Sequence, residues 1–374
     1  MDMKSEELSG KRNKYTSLAV KWRPTSFNEL TEQESIKKIL STQISTGTIK
    51  NGYLFTGPAG CGKTTSARIF ARMINKGKGT PIELDAASNN SVDDIRSICE
   101  QAQTRALDSE YKIFILDEVH VLSNQAWQAM LKTLEEPPMK SIFILCTTNP
   151  EKIPQTILSR VQRYNFQKIS LDGIVDRLIA ILEAEADEFC EMKGNDFMNT
   201  DEYLAEGGYD WDIQAVHLIA KLANGGMRDA ITLMDKCLSY SHNLTEENVV
   251  EALGVADYST MFQLNDAIFS RNITYALEVI DKVYNAGVDL KQFMKTYFEF
   301  ILDIRKYELL QSFDSIKIPS THKEELDNYG NAEYNILAGL LKELVDINHN
   351  IKWEKDCKPY IEARLLLFME VRDL

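Results

Sequence analysis

Up to Ser170 the chain alternates short apolar runs with longer stretches in which apolar side chains recur every three or four positions. The first pattern suits buried strands and the second amphipathic helices. The runs predict strands at Gly52–Thr56, Pro81–Leu84, Lys112–Leu116, Ile142–Thr147 and Gln162–Phe166. The stretches predict helices at Ile36–Thr46, Lys63–Asn75, Val92–Leu107, Asn124–Leu134 and Lys152–Leu158. Strands alternating with helices make a parallel sheet covered by helices. After Ser170 the strand signals stop, and Leu, Ile, Phe and Tyr recur at helical spacing; Thr245-Glu246-Glu247-Asn248 opens one helix with a cap and Gly254 closes it. The expectation is an α/β domain over residues 1–170, a small helical domain over 171–242 and a second over 243–374.

Composition narrows the classes of function. Of 374 residues, 44% are hydrophobic and 26% charged, enough to fill a core. The longest apolar runs, such as Ile113–Leu116 and Ile142–Cys146, are strand-sized, well below the ~20 residues of a membrane helix. Met1 to Lys14 is polar and unlike a secretory leader. A cytoplasmic protein with no membrane partner is expected. The cysteines at 61, 99, 146, 190, 237 and 357 form no Cys-x-x-Cys pair, and the histidines are equally scattered, so no zinc is predicted. Charge is uneven: residues 1–168 carry 23 Lys+Arg against 18 Asp+Glu, a net of +5, and the rest carry 19 against 38, a net of −19. Contact with a polyanion would fall on the first half, although acidic helical surfaces also serve solubility alone.

Gly57-Pro58-Ala59-Gly60-Cys61-Gly62-Lys63-Thr64 fits G-x-x-x-x-G-K-[ST] between a predicted strand and a predicted helix, the setting of a phosphate loop. Its glycines let backbone N–H groups converge on phosphates, and the helix N-terminus adds positive potential. Lys63 is expected on the β- and γ-phosphates, the Thr64 hydroxyl on Mg²⁺, and Cys61 as a small filler. The strand Ile113-Phe114-Ile115-Leu116 ends in Asp117-Glu118. A carboxylate at the end of a parallel strand lies over the phosphate loop, which suits Asp117 to the Mg²⁺ shell and Glu118 to polarising water. His120 reads as a packing or hydrogen-bonding residue rather than a ligand. A further strand ends in Thr148-Asn149-Pro150, either a sensor of the γ-phosphate or a plain turn.

The run Asp117-Glu118-Val119-His120-Val121-Leu122-Ser123, continuing to Leu131-Lys132-Thr133-Leu134-Glu135-Glu136-Pro137-Pro138, resembles the gamma/tau subunit of the bacterial DNA polymerase III clamp loader. So do Lys21-Trp22-Arg23-Pro24, Glu83-Leu84-Asp85-Ala86-Ala87-Ser88 and Gly226-Met227-Arg228-Asp229-Ala230. The resemblance implies an AAA+ ATPase: a P-loop α/β domain with a five-stranded parallel sheet, an all-helical lid and an all-helical collar that assembles a ring. It implies that Arg160, in Ser159-Arg160-Val161 where the family has Ser-Arg-Cys, reaches a neighbouring subunit's ATP. It further implies that Arg228 and Thr148 sense the γ-phosphate and that Thr65 joins the phosphate loop. Trp22, Arg23, Pro24, Leu30 and Thr31 would line the adenine pocket, and Asn89, Asn90 and Ser91 would hold DNA phosphates at a helix start. The implied partners are delta- and delta-prime-like loader subunits or copies of this chain, a sliding clamp and primer–template DNA.

Two departures stand out. The family's four-cysteine zinc module is replaced by Lys76-Gly77-Lys78-Gly79-Thr80, and an acidic, aromatic insertion lies at about Cys190 to Trp211. The length is gamma-like, or that of a pared-down phage or plasmid version. The implied function is the motor that opens a clamp and loads it on DNA. The alternatives are another AAA+ DNA-remodelling ATPase (branch-migration helicase or initiator/helicase loader) and a loader scaffold that binds nucleotide without turnover.

Overall fold

The computed structural model describes residues 16–193, 208–253, 258–313, 315–319, 322–329 and 334–370. Gly254 and residues 194–207, most of the insertion expected at about Cys190 to Trp211, lie outside the described residues. By packing the chain divides into two units. The first takes in the described residues up to Glu191 with Ala223–Asp235; the second takes in the described residues of Met192–Leu222 and Lys236–Leu374.

In the first unit β1 (Gly52–Thr56), β2 (Ile82–Asp85), β3 (Lys112–Asp117), β4 (Ser141–Thr147) and β5 (Gln162–Asn165) form one sheet in the order β2-β3-β4-β1-β5, with every pairing parallel. The strand period of two sorts side chains between the faces. Tyr53, Phe55, Ile113, Ile115, Ile142 and Ile144 pack with α2 (Glu34–Thr46) and α3 (Lys63–Ile74) through Leu40, Ile69 and Phe70. Leu54, Phe114, Leu116, Phe143 and Leu145 pack with α4 (Val92–Ala102), α5 (Asn124–Glu135) and α6 (Gln155–Leu158) through Ile95, Trp127, Met130 and Ile157. Covered on both sides, β1 and β4 are buried at every position, which is why they read as unbroken apolar runs. The edge strand β2 has no fully buried residue.

Two predicted helices are shorter than their patterns. The α4 helix stops at Ala102 rather than Leu107 because side chains take up its last carbonyls: Ser141 Oγ donates to Ala102 O at 2.8 Å and Lys112 Nζ to Gln101 O at 2.7 Å. The stretch Lys152–Leu158 breaks at Pro154, which caps α6 after a 3₁₀ turn over Pro150–Lys152. The unit is completed by α1 (Leu18–Lys21), by α7 (Leu171–Lys193) and by the first turns of a helix over Met227–Tyr240.

The second unit holds the short parallel pair β6 (Asp210–Trp211) and β7 (Asn243–Leu244), with α8 (Ile213–Leu222) between them in sequence. Counting Met227–Tyr240 as α9, α10 (Glu246–Leu253) opens where Asn248 N–H donates to Thr245 Oγ1 at 3.2 Å, the expected cap. Beyond it α11 (Tyr258–Phe269), α12 (Ile273–Asn285), α13 (Leu290–Leu310), α14 (Lys323–Tyr329), α15 (Tyr334–Asn350) and α16 (Cys357–Glu370) enclose one core containing Tyr297, Phe300, Leu344 and Ile361. Two-residue strands are too short to show a period, so β6 and β7 left no signal in the sequence. Among the described residues no helix is long and apolar enough to cross a membrane.

Candidate nucleotide site

The loop between β1 and α3 begins at the carboxyl end of a central strand. Gly57 takes φ 143° and Gly60 φ 71°. A Cβ at Gly57 would stand 2.4 Å from Phe166 O, and one at Gly60 2.9 Å from Gly226 Cα. Only glycine allows these approaches. Lys63, the first residue of α3, is buried, and its Nζ donates to Gly57 O at 2.9 Å and Pro58 O at 2.7 Å. Cys61 is buried with Sγ 3.0 Å from Pro58 O, and burial pushes its thiol pKa up, so it fills space and resists ionising.

The next residue turns toward β3. Thr64 Oγ1 donates to Asp117 Oδ2 at 2.6 Å, while Asp117 Oδ1 accepts from Glu118 N–H at 3.0 Å. Glu118 takes φ 48°, the left-handed region, which turns the chain as β3 ends. Its Oε2 accepts from Thr148 Oγ1 at 3.0 Å and Thr148 N–H at 3.3 Å, and His120 Nδ1 lies 3.1 Å away.

A cleft of about 350 Å³ opens beside these groups. It is lined by Trp22, Arg23, Pro24, Leu30 and Thr31, by residues 59–65, and by Asp117, Glu118 and Arg228, so the loop, the acid pair and the expected adenine and lid positions meet. Arg68, Ile169 and Arg177 also line it and carried no sequence signal, while Met227 and Asp229 line it from the Gly226-Met227-Arg228-Asp229-Ala230 segment. Met227 N–H donates to Gly60 O at 3.0 Å, tying the Gly226 turn to the loop. Trp22 is anchored by Nε1 donating to Glu185 Oε1 at 2.5 Å, and Lys21 Nζ reaches Glu185 at 2.5 Å and Glu188 at 2.6 Å. Burial alone would lower the Lys21 pKa, but the two carboxylates raise it above its ordinary value. Burial lowers the Arg177 pKa, partly offset by Glu29, and its Nη2 donates to Trp22 O at 3.2 Å.

The donor set can be weighed against the expected ligands. Thr64 and Asp117 offer oxygen atoms alone, suited to a hard divalent cation. Lys63 and a loop open enough for backbone approach suit phosphate oxygens. Seven expected positions, Gly57, Pro58, Asn89, Asn90, Ser91, Thr148 and Arg160, are not among the residues lining the cleft. Gly57 and Pro58 turn carbonyls toward Lys63 without lining the cleft. Arg160 is outside the cleft, with Nη2 on Glu135 Oε1 at 2.5 Å and Nη1 on Thr156 O at 2.6 Å. Ser91 caps α4 by accepting from Asp94 N–H at 3.1 Å, and Asn89 Nδ2 donates to Asp85 O at 3.1 Å.

Comparison with known proteins bears on each segment. Residues 80–170 match the profile of the DNA polymerase III delta subunit, residues 200–243 that of the DNA polymerase III clamp loader subunit ATPase lid domain, and residues 244–332 that of DNA polymerase III subunits gamma and tau domain III. The chain is 31% identical to DNA polymerase III subunit gamma of Buchnera aphidicola subsp. Schizaphis graminum, covering 81% of this chain and 82% of that one. The chain belongs to the gamma/tau family of DNA polymerase III subunits. It is likewise 31% identical to DNA polymerase III subunit tau of Bacillus subtilis over 94% of its own length, but spans only 63% of that relative. It spans 54% of DNA polymerase III subunit gamma/tau of Mycoplasma genitalium. Among solved structures it is similar to the RuvB Holliday junction branch migration motor of Thermotoga maritima, at 18% identity and TM-score 0.47, over 72% of this chain and 86% of that one. The resemblance carried by the acid-rich and Leu-Glu-Glu-Pro-Pro segments is thus borne out, as is the fold class: an AAA+ α/β domain followed by helical segments.

Proposed function

We propose that this gamma/tau-family chain is the ATP-hydrolysing motor subunit of a sliding-clamp loader. The observation that carries the reading is the convergence of Lys63, the Thr64–Asp117 pair and Glu118 on one cleft that ends in Arg228. Lys63 and the loop amides hold the β- and γ-phosphates of ATP, Trp22, Arg23, Pro24, Leu30 and Thr31 bound the adenine side, and Thr64 and Asp117 hold Mg²⁺. Mg²⁺ bound there neutralises charge on the phosphate oxygens. Glu118 accepts a proton from the attacking water as its oxygen bonds to the γ-phosphorus, and the bridging oxygen departs with ADP. Thr148 holds the Glu118 carboxylate, and Arg228 meets the γ-phosphate from the lid.

Arg160 completes the site of a neighbouring copy or subunit. The β5 strand it precedes pairs Gln162 with Tyr53 near the start of β1, about 10 Å from the phosphate-loop end of that strand at ~3.3 Å per residue. An arginine so placed serves a neighbour better than its own cleft, and a guanidinium given in trans speeds phosphoryl transfer by ~10³–10⁵. Residues 171–242 act as the lid and 243–374 as the collar of a ring containing delta- and delta-prime-like subunits or copies of this chain. Asn89, Asn90 and Ser91 face DNA phosphates, with several weak contacts adding across the ring. The cellular setting is the cytoplasm.

ATP hydrolysis by the chain with candidate loader subunits should rise when a sliding clamp and primed DNA are added together, and the clamp should become topologically linked to circular DNA. Turnover by isolated chains at the full rate, indifferent to clamp and DNA, would overturn the proposal.

A further inference from the structure

The geometry points to His120 as a positioning residue for Glu118, one that fixes which carboxylate oxygen faces the attacking water. The inference rests on the proposed reading of the cleft as an ATP-hydrolysis site and adds a residue to it.

Two donors and an imidazole nitrogen converge on a single oxygen. Glu118 Oε2 lies 3.0 Å from Thr148 Oγ1, 3.3 Å from Thr148 N and 3.1 Å from His120 Nδ1. The 3.1 Å separation is an ion-pair distance, and the contact is attractive when Nδ1 carries a hydrogen, because an ionised carboxylate only accepts. The same Nδ1 lies 3.3 Å from Thr147 Oγ1, which in turn accepts from Asn149 N–H at 3.1 Å. The ring is therefore held at the end of β4 with Nδ1 beside the carboxylate, and its side chain is only 14% exposed. Thr147 is buried, so that end of the chain of bonds does not move freely.

The backbone explains why the carboxylate needs holding. Glu118 sits in the left-handed region just past β3, with a side chain 35% exposed at the cleft, and a glutamate there has several open rotamers. Thr148 alone grips Oε2 from the β4 side. His120, two residues on in the turn Val119–Val121, grips it from the β3 side. Held from both sides, Oε2 pivots little, and Oε1 keeps one direction for the water proton. A catalytic group misplaced by about 1 Å can lose on the order of 10²-fold in rate.

The test uses the full chain with its loader partners, with steady-state ATP hydrolysis at saturating ATP and equilibrium binding of a fluorescent ATP analogue. His120→Leu should lower kcat by about tenfold or more and leave nucleotide affinity within about twofold, the signature of an interaction made only in the transition state. His120→Asn carries its amide nitrogen where Nδ1 stands and should restore kcat to within about threefold of wild type, whereas His120→Gln, which extends past that point, should not. In a Glu118→Gln background His120→Leu should add less than about a twofold loss, since the two groups act as one unit. Unchanged kcat in His120→Leu, asparagine no better than glutamine, or a full independent loss in the Glu118→Gln background would each overturn the assignment. Where leucine disturbs folding, the asparagine and glutamine pair decides alone. A wild-type chain that binds ATP but never hydrolyses it would overturn the hydrolytic reading of the cleft, and this assignment with it; hydrolysing wild type with indifferent His120 variants overturns this assignment only.

Discussion

Gly60→Ala should separate the phosphate loop from the turn that carries Arg228. Alanine at φ 71° costs about 1–2 kcal/mol for its left-handed backbone. Its Cβ would also stand 2.9 Å from Gly226 Cα and 3.3 Å from Gly226 C. These are backbone atoms with no rotamer to relieve the contact, which adds about 1–3 kcal/mol. Gly47→Ala is the matched control, because Gly47 has φ 68° but nothing within 4 Å of its added Cβ. Both variants should lose the conformational component in urea unfolding. Only Gly60→Ala must bear the steric remainder, either as further lost stability or by displacing the loop. If the loop moves, a shift of about 2 kcal/mol weakens ATP binding about 30-fold. Urea unfolding and titration with a fluorescent ATP analogue, run on both variants, decide the matter. Gly60→Ala indistinguishable from Gly47→Ala in both measurements would refute the close approach of loop and turn.

Lys63→Ala and Arg160→Ala chains should each fail to hydrolyse ATP alone, yet regain part of the rate when mixed, because some interfaces then pair an intact Lys63 with an intact Arg160; mixed rings without recovery speak against a shared site. Glu185→Leu leaves Trp22 Nε1 and Lys21 without their 2.5 Å partner and should cost about 1–3 kcal/mol in urea unfolding. Glu188→Leu, which removes a more exposed partner, should cost under about 1 kcal/mol; equal losses would contradict this ranking. Burial raises the Tyr53 hydroxyl pKa from 10.0 to about 12. The unfolded chain releases this proton first, so its contribution is whole below pH 10 and is lost as pH rises to about 12, removing on the order of 3 kcal/mol. Tyr53→Phe should flatten that part of the pH–stability curve, and an unchanged slope would show that another group is responsible.

How much of this was legible beforehand follows from the range of each contact. The strands of the sheet lie within a residue or two of their apolar runs because a strand buried on both faces must be apolar along its own length. The phosphate loop was equally plain, since its glycines, Lys63 and Thr64 are contiguous and local backbone geometry already demands that order. Helix ends were less so. Nothing near Ala102 announces that Ser141 and Lys112 will take its last carbonyls.

Other features belong to the tertiary structure alone. The grip of Thr148 on Glu118 spans 30 positions, and that of Glu185 on Trp22 spans 163. The approach of Gly60 to Gly226 brings together a loop after the first strand and a turn beyond the sheet. Hydrophobic patterning states which face of an element is buried but not what covers it. Pairing across such distances depends on how parallel strands are ordered and how their connections cross the sheet. The amino-acid order by itself therefore determined the elements of the sheet, the glycine-rich loop and the presence of two acids where β3 ends. The folded chain decided which oxygen of Glu118 is held, what anchors Trp22, and that Arg160 stands away from the cleft, because each depends on groups that only the tertiary structure brings within bonding range.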